Sequence, residues 1–487
     1  MALISITNLT FGWDGSPDDV FQDVSFRLDT DWRAGLVGRN GRGKTTLLRL
    51  LTDPESMPHS GTISSPVKFK YFPYNIADMS ASTLDVIDAA CPVYEFWELC
   101  RELNLLEVPE DVLFRPFETL SPGERTKALL ATLFLGGGDF ALLDEPTNHL
   151  DAMGKRAVAE YLRSKKGFLV VSHDRTLLDS VCDHTVSIGR AGIEVVSGSY
   201  SVWAEEKLRR DRREAAENEQ LEKDIKRMKA SERRAADWSG RTEKSKYGNG
   251  PVDRGYIGHK SAKLMKRSKA IEARRGEAAR KKSELLKDVD TAGSLKLAPL
   301  RHHSEKLAYV SGLQIDYLPG KTFDMAIGRG ERIALTGGNG AGKSSIIKLI
   351  AGERIPHTGI VKTAAGLKIS YVPQDIPEMP GSALRFAQGA GVDLTQFLAI
   401  LVNLGLDRSA FDTDLAQFSD GQKRKVLIAK SLCEPAHLYL WDEPLNFIDI
   451  LSREQIERLI LEYRPSMAFV EHDDVFVGRI ATRTVSL

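Results

Sequence analysis

The stretch GRNGRGKTT, Gly38–Thr46, follows a short apolar run, Arg33–Val37, and leads into a helical pattern, Thr46–Leu51. Gly38, Gly41 and Gly43 let backbone N–H groups close around a phosphate, and the helix N-terminus behind them adds partial positive charge. In such a loop Lys44 reaches the β/γ-phosphates and the Thr45 hydroxyl faces Mg²⁺. One match of this kind can be a fortuitous glycine turn. Here the stretch recurs 299 residues on, as GGNGAGKSS at Gly337–Ser345, again between an apolar run (Arg332–Leu335) and a helical pattern (Ile346–Ile350). Gly337, Asn339, Gly340, Gly342, Lys343, Ser344 and Ser345 thus stand where Gly38, Asn40, Gly41, Gly43, Lys44, Thr45 and Thr46 stand in the first copy.

Other landmarks recur at an offset of 298 or 299. LLDEP places Asp144 and Glu145, LWDEP places Asp442 and Glu443, and VSHD and VEHD place His173 and His472. Matching landmarks at a common offset make the chain a duplicated domain. Apolar runs at Ala141–Leu143, Gly167–Val171, Leu438–Trp441 and Met467–Val470 read as buried strands between helices. The expected class is therefore α/β: two tandem P-loop nucleotide-binding domains, each on a parallel sheet covered on both faces. Asp144 and Asp442 close their strands and are candidates for holding the metal ion. Glu145 and Glu443 follow them as candidates for polarising a water, a task worth about 10²–10⁴-fold in rate. His173 and His472, each just past an apolar strand, complete the two catalytic sets.

The 487 residues carry 67 Lys+Arg and 67 Asp+Glu, a balance that hides segregation. Lys223–Lys282 holds 20 basic against 7 acidic residues, a local excess of +13. This basic stretch lies between the two halves. Tyr200–Asp237 is helical in composition, with Leu221, Ile225 and Met228 as apolar positions. Leu264, Ile271, Ala278 and Leu285 recur every seven residues on the far side, as one stripe of an antiparallel helical hairpin would. Residues 239–259 carry six of the intervening Gly and Pro and read as its tip. Each arm would project roughly 50 Å at about 1.5 Å per residue. The division expected is a first ATP-binding domain over 1–199, a basic hairpin over 200–290 and a second ATP-binding domain over 291–487. No apolar run has the roughly 18 residues of a membrane span, and Met1–Thr10 lacks a basic leader segment. The four scattered cysteines suggest neither a disulfide framework nor a zinc site. A cytoplasmic protein is expected.

Outside the insert, both halves resemble the ABC ATPase family. Its signature loop matches LSPGE (Leu120–Glu124) and FSDGQ (Phe418–Gln422). The resemblance implies head-to-tail closure within one monomer, with ATP on each P-loop capped by the other half's signature. Lys44, Thr45, Asp144, Glu145 and His173 would face Ser419 and Gly421. Lys343, Ser344, Asp442, Glu443 and His472 would face Ser121 and Gly123. It further implies Gln374 of YVPQ as a Mg²⁺ ligand, Trp13 and Tyr317 as adenine-stacking aromatics, and Asp151 and Asp449 as the acids of the loops between the sites. The first half departs from the family at Tyr74, which stands where the family has the metal-binding Gln. Pro122 removes a backbone donor, and Asp420 puts a carboxylate near a phosphate position. The two sites therefore read as non-equivalent.

Three uses of ATP compete: a transporter motor, which needs membrane partners; a chromosome or repair ATPase, which carries a much longer coiled coil or zinc modules; and an ABC-F translation factor. The insert resembles the ABC-F linker, notably in AKLMKRSKAIEARR (Ala262–Arg275). Its positive charge suits a phosphate-rich RNA surface. Trp238, Tyr247 and Tyr256, with Arg241, Lys244, Lys246 and Arg254, would face RNA at the tip, where the aromatics can stack on bases. GLVGRNGRGKTTLLRLL, VLFRPFETLSPGE and WDEPLNFIDI look like the Lsa-type branch of antibiotic-resistance proteins. That likeness implies a bacterial 70S ribosome as partner, with 23S rRNA and P-site tRNA as contacts and no DNA. It also implies protection against lincosamides, streptogramin A and pleuromutilins. A housekeeping ABC-F factor without drug phenotype is the alternative.

Overall fold

The computed structural model describes residues 2–13, 19–148, 150–189, 192–214, 216–220, 223, 297–318, 320–338 and 340–487. The tip residues Trp238, Arg241, Lys244, Lys246, Tyr247, Arg254 and Tyr256, the seven-residue stripe and Asn339 lie outside these. Backbone contacts join Met1–Trp203 and Ala292–Leu487 into one unit and set Ala204–Thr291 apart as another. In the second unit, residues 204–214 and 216–220 are helical, with an exposed Glu205–Arg209 ion pair at 3.3 Å four residues apart.

Each half is built on a parallel sheet whose strands end on one edge. In the first half the order is Phe69–Phe72, Phe140–Asp144, Phe168–Val171, Arg33–Gly38 and His184–Ile188, with Ile193–Ser197 added antiparallel at the edge. The second half repeats it with Ile369–Val372, Leu438–Asp442, Met467–Val470, Arg332–Thr336 and Arg483–Ser486. The register aligns Asp144 with Val171, and Val171 with Leu36, so the phosphate loop, the acidic pair and His173 leave neighbouring strands at the same end. Asp442, Val470 and Leu335 do the same in the second half. Ligands of open α/β sheets bind at that end.

Both faces of each parallel sheet are covered, and on one of them the covering is more than helices. On one face each P-loop helix is roofed by an antiparallel three-stranded sheet: Phe21–Asp29, Leu3–Phe11 and Ser60–Ser64 in the first half, and Phe323–Gly328, Lys306–Ile315 and His357–Thr363 in the second. Leu47, Leu48, Leu50 and Leu51 of the first P-loop helix share one core with Ile4, Ile6, Leu9 and Phe26 of that sheet. Burial of Leu3–Phe11 alternates in places and then slips at the register shift after Ile6, where Asn8 has φ 51°. A bulge breaks the period of two that identifies a half-buried strand.

Candidate functional site

Both P-loops fold from the same local logic. Gly43 and Gly342 precede their helices with φ of 87° and 99°, a left-handed conformation that favours glycine, and each helix starts at the lysine. Lys343 Nζ donates to Gly337 O and Gly338 O at 2.8 and 2.9 Å. Lys44 Nζ donates to Gly38 O at 2.9 Å and to Arg39 O and Asn40 Oδ1 at 3.3 Å. Burial lowers the pKa of both ammonium groups, against the pull of nearby carboxylates.

Glu145 and Glu443 are held in an uncommon backbone state. Their φ values are 53° and 48°, in the left-handed region, which costs a non-glycine residue about 1–3 kcal/mol. Each N–H still donates to the neighbouring strand, Glu145 to Val171 O at 2.9 Å and Glu443 to Val470 O at 3.0 Å. The chain therefore turns abruptly one residue after the strand. Asp144 and Asp442 meet the P-loop hydroxyls: Thr45 Oγ1 donates to Asp144 Oδ2 at 2.7 Å, and Ser344 Oγ to Asp442 Oδ1 at 3.0 Å.

Beyond these shared elements the sites diverge. A cavity of about 930 Å³ is lined by Gly340, Gly342, Lys343, Ser344, Ser345, Gln374, Tyr317, Glu443 and His472 from the second half, and by Ser121 and Gly123 from the first. Glu145, His173 and Asp151 also reach its wall. Ser121 and Ser419 cap their signature helices through reciprocal bonds with Glu124 and Gln422. Tyr317 is 61% exposed, and its hydroxyl is hydrogen-bonded to Ser345 Oγ.

At the first P-loop the opposite half is already in contact. Asn40 N donates to Asp449 Oδ2 at 3.3 Å, and Asn40 Nδ2 to Phe447 O at 2.6 Å. Gly421 lies so close that a Cβ there would be 3.0 Å from Asn40 Nδ2 and 2.7 Å from Phe447 O. Asp449 is itself buried on Lys425 Nζ at 2.8 Å; that cation and Lys44 hold its carboxyl well below the usual range despite burial. A separate small cavity of about 10 Å³ lies beside Lys44 and His173, walled by Gly38, Tyr200, Trp203 and Ile450. Gly41 (φ 81°) forms the loop turn, Thr46 is buried, Thr45 is exposed, and Trp13 is 49% exposed with its ring edge-on to Phe11 at 5.2 Å.

The surroundings of the two candidate bases shift their pKa values in opposite directions. Burial pushes Glu145 up to about 8, only partly opposed by Lys44. Its Oε1 is buried 3.2 Å from His173 Nε2 without hydrogen-bond geometry. Burial also pushes on Glu443, but bonds from His472, Asn446 and Gln374 outweigh it and leave its pKa lowered. His472 Nε2 lies 3.3 Å from Glu443 Oε1, and Asn446 Nδ2 donates to Glu443 Oε2 at 2.7 Å. Burial takes the His173 imidazole well below its ordinary value.

The oxygen donors for Mg²⁺ also differ. Ser344 Oγ, Asp442 and Gln374 Oε1 converge, Ser344 lying 3.3 Å from the amide oxygen. Among the described residues Asp442 Oδ2 is buried without a hydrogen-bond partner, and burial raises this carboxyl to about 6. A hard-oxygen set with an orphaned carboxylate oxygen fits Mg²⁺. Arg424 fixes the Gln374 segment by donating to Pro373 O and Gln374 O, both at 2.5 Å. In the first site Tyr71 OH occupies Asp144 Oδ2 at 3.2 Å, and Tyr74, at the sequence position of Gln374, buries its hydroxyl near Thr132, Cys91 and Asp139. Thr126 stands at the position of Arg424.

Several participants carry no motif signal: Lys425, which pairs with the already named Asp449, Arg424, and Glu471, whose Oε1 accepts Leu445 N at 2.7 Å. Glu471 could have been suspected from VEHD against VSHD, where a carboxylate replaces a hydroxyl.

Duplicated P-loops, strand-end acids and opposed signature helices on two such sheets define a tandem ATP-binding protein. The family described as "ABC transporter" matches residues 21–148 and 321–446, more than half of the chain. The chain belongs to this family of ATP-binding, ATP-hydrolysing domains. It is 28% identical over 504 residues to the ATP-binding protein Uup of Caulobacter vibrioides, covering 96% of this chain and 74% of that one. It is 24% identical over 506 residues to the ribosome protection protein VmlR of Bacillus subtilis, covering 98% and 85%. Among solved structures, it matches a complex of the archaeal ribosomal stalk protein aP1 with the ribosome recycling factor aABCE1. That match has a TM-score of 0.61 at 19% identity, covering 98% of this chain and 87% of that one. At that identity the likeness concerns the fold. Among the described residues no helix is long and apolar enough to cross a membrane.

Proposed function

We propose that the chain is an ABC-F ribosome-protection factor whose ATP-driven closure controls binding to the bacterial ribosome. The observation that carries this reading is the +13 insert between two ATP-binding halves, read together with the similarity to VmlR along nearly the whole chain. ATP and Mg²⁺ occupy the two interfaces, and the closed form binds the E site. The hairpin 200–290 extends toward the peptidyl-transferase centre, contacting 23S rRNA and P-site tRNA. Bound factor and bound lincosamide, streptogramin A or pleuromutilin then oppose each other, since coupling between sites is reciprocal. The protein works as a cytoplasmic monomer of the Lsa type.

The residues divide the ATPase work as their geometry suggests. Ser344, Asp442 and Gln374 would hold Mg²⁺, which neutralises phosphate charge when bound. Lys343 and the P-loop N–H groups hold the phosphates, and Ser121 and Gly123 cap them from the other half. Glu443, ionised and oriented by His472, accepts a proton from the attacking water. Hydrolysis is faster at this site than at Glu145, whose carboxyl burial pushes up to about 8.

The test is co-sedimentation of a Glu145→Gln/Glu443→Gln variant with 70S ribosomes, with and without ATP, over a salt series. ATP-dependent retention that weakens with salt is expected. No retention under any condition would remove the ribosome as partner. A panel of the three drug classes on an expressing strain then checks protection; unchanged susceptibility with retained ribosome binding would point to a factor of general translation.

A further inference from the structure

Arg175 lies two residues after His173, at the start of the helix Arg175–Val181, and is buried. Its guanidinium leaves its own half. Nη2 bonds Glu457 Oε1 and lies 3.4 Å from Asp473 Oδ2. Asp473 is the residue after His472, lines the 930 Å³ cavity and caps the next helix by accepting Phe476 N at 3.0 Å. The same Oδ2 receives Arg453 Nη1 at 3.2 Å, and Arg453 also donates to Leu445 O and Ile448 O at 2.9 Å. One side chain thus ties the segment behind His173 to the segment that carries His472.

The tie runs in one direction. At the repeat offsets, Arg175 corresponds to Asp474 and Glu457 to Ala159, so the reverse strut lacks its arginine and its glutamate. Asp174, the counterpart of Asp473, has Lys155 of its own half at 3.9 Å.

We propose that Arg175 is a positioning residue for the opposite ATP site: through Asp473 it sets His472, and hence the carboxylate of Glu443. This rests on Glu443 and His472 being the water-handling pair. Arg175 touches neither nucleotide loop, so its contribution is to geometry, and a misplacement of about 1 Å can cost up to about 10²-fold in rate.

The experiment measures steady-state ATPase of Arg175→Met and Arg175→Lys in two backgrounds, Glu145→Gln and Glu443→Gln. In the Glu145→Gln background, Arg175→Met is expected to lower kcat about tenfold with KM within about twofold, and Arg175→Lys to restore part of the loss. In the Glu443→Gln background the residual turnover should not change. Glu454→Ala, which removes the acceptor of Tyr200 OH (Glu454 Oε1, 3.0 Å), should leave kcat as it was. Equal losses in both backgrounds, a change confined to KM, or no loss would overturn the proposal. If the Met variant does not fold, the Lys variant is read in the same way: a smaller kcat loss confined to the Glu145→Gln background supports the strut, and parental turnover in both overturns it. Full turnover by Glu443→Gln alone would instead sink the assignment of Glu443, and the strut with it.

Discussion

The two ATP sites of this chain are made from duplicated motifs yet present opposite faces to a ligand. At Lys44 the opposite half is bonded to the loop tip through Asn40, and burial pushes the Glu145 carboxyl up to about 8. At Lys343 the lysine, acid and histidine stand around a 930 Å³ cavity, and bonds from His472, Asn446 and Gln374 lower the pKa of Glu443. The motifs do not cause the difference, because both carry the glycines, the lysine and the acidic pair. It comes from neighbours: Gln374 against Tyr74, Arg424 against Thr126, and a buried Lys425–Asp449 pair against Lys127 and Asp151, which both line the open cavity. Duplication supplies two scaffolds, and the surrounding side chains decide how each is used.

The sharpest break of that comparison is kinetic. Glu443→Gln should lower turnover by about 10²–10⁴-fold, and Glu145→Gln by less than about tenfold, in steady-state ATPase assays. The pH profiles sharpen the contrast. Only a carboxylate can accept the proton, so turnover left in Glu443→Gln should climb as pH rises through about 8, where Glu145 titrates. Turnover of Glu145→Gln should already be level at neutral pH, because Glu443 has a lowered pKa. Equal losses, or matching profiles, would mean that the sites are equivalent in solution.

Next in size is the buried pair. Lys425→Met leaves Asp449 without its cation inside the protein, which costs about 3–5 kcal/mol, whereas Lys127→Met on the cavity wall should cost under about 1 kcal/mol. Denaturant unfolding compares them, and similar costs would contradict the asymmetry. The smallest effect is steric. Gly421→Ala drives a methyl against Phe447 O and Asn40, with an overpacking cost of about 1–3 kcal/mol. Gly123→Ala meets only Leu150 Cδ2 at 3.4 Å and should stay within about 0.5 kcal/mol. Thermal melting without nucleotide would distinguish the two.

What could be read beforehand was whatever repeats. Strand ends, P-loop helices and the opposed signatures follow from residue spacing and from the family likeness. The roofing sheets were missed because a bulge at Asn8 disrupts the alternation of Leu3–Phe11. The left-handed turn at Glu145 and Glu443 was missed because neighbouring strands impose it and no local propensity favours it. Arg175 gives no signal at all, since its partners lie 282 and 298 positions along the chain.

The one-way strut also bears on the chain's history. A freshly duplicated domain can pair with any copy of itself, but a duplex of two first halves would bring Arg175 against Ala159 and Asp174 in place of Glu457 and Asp473. The halves are therefore no longer interchangeable. A chimera carrying either half twice would keep both P-loops but lose the Arg175–Glu457 bond, so the order of the two domains has become part of the protein's heredity.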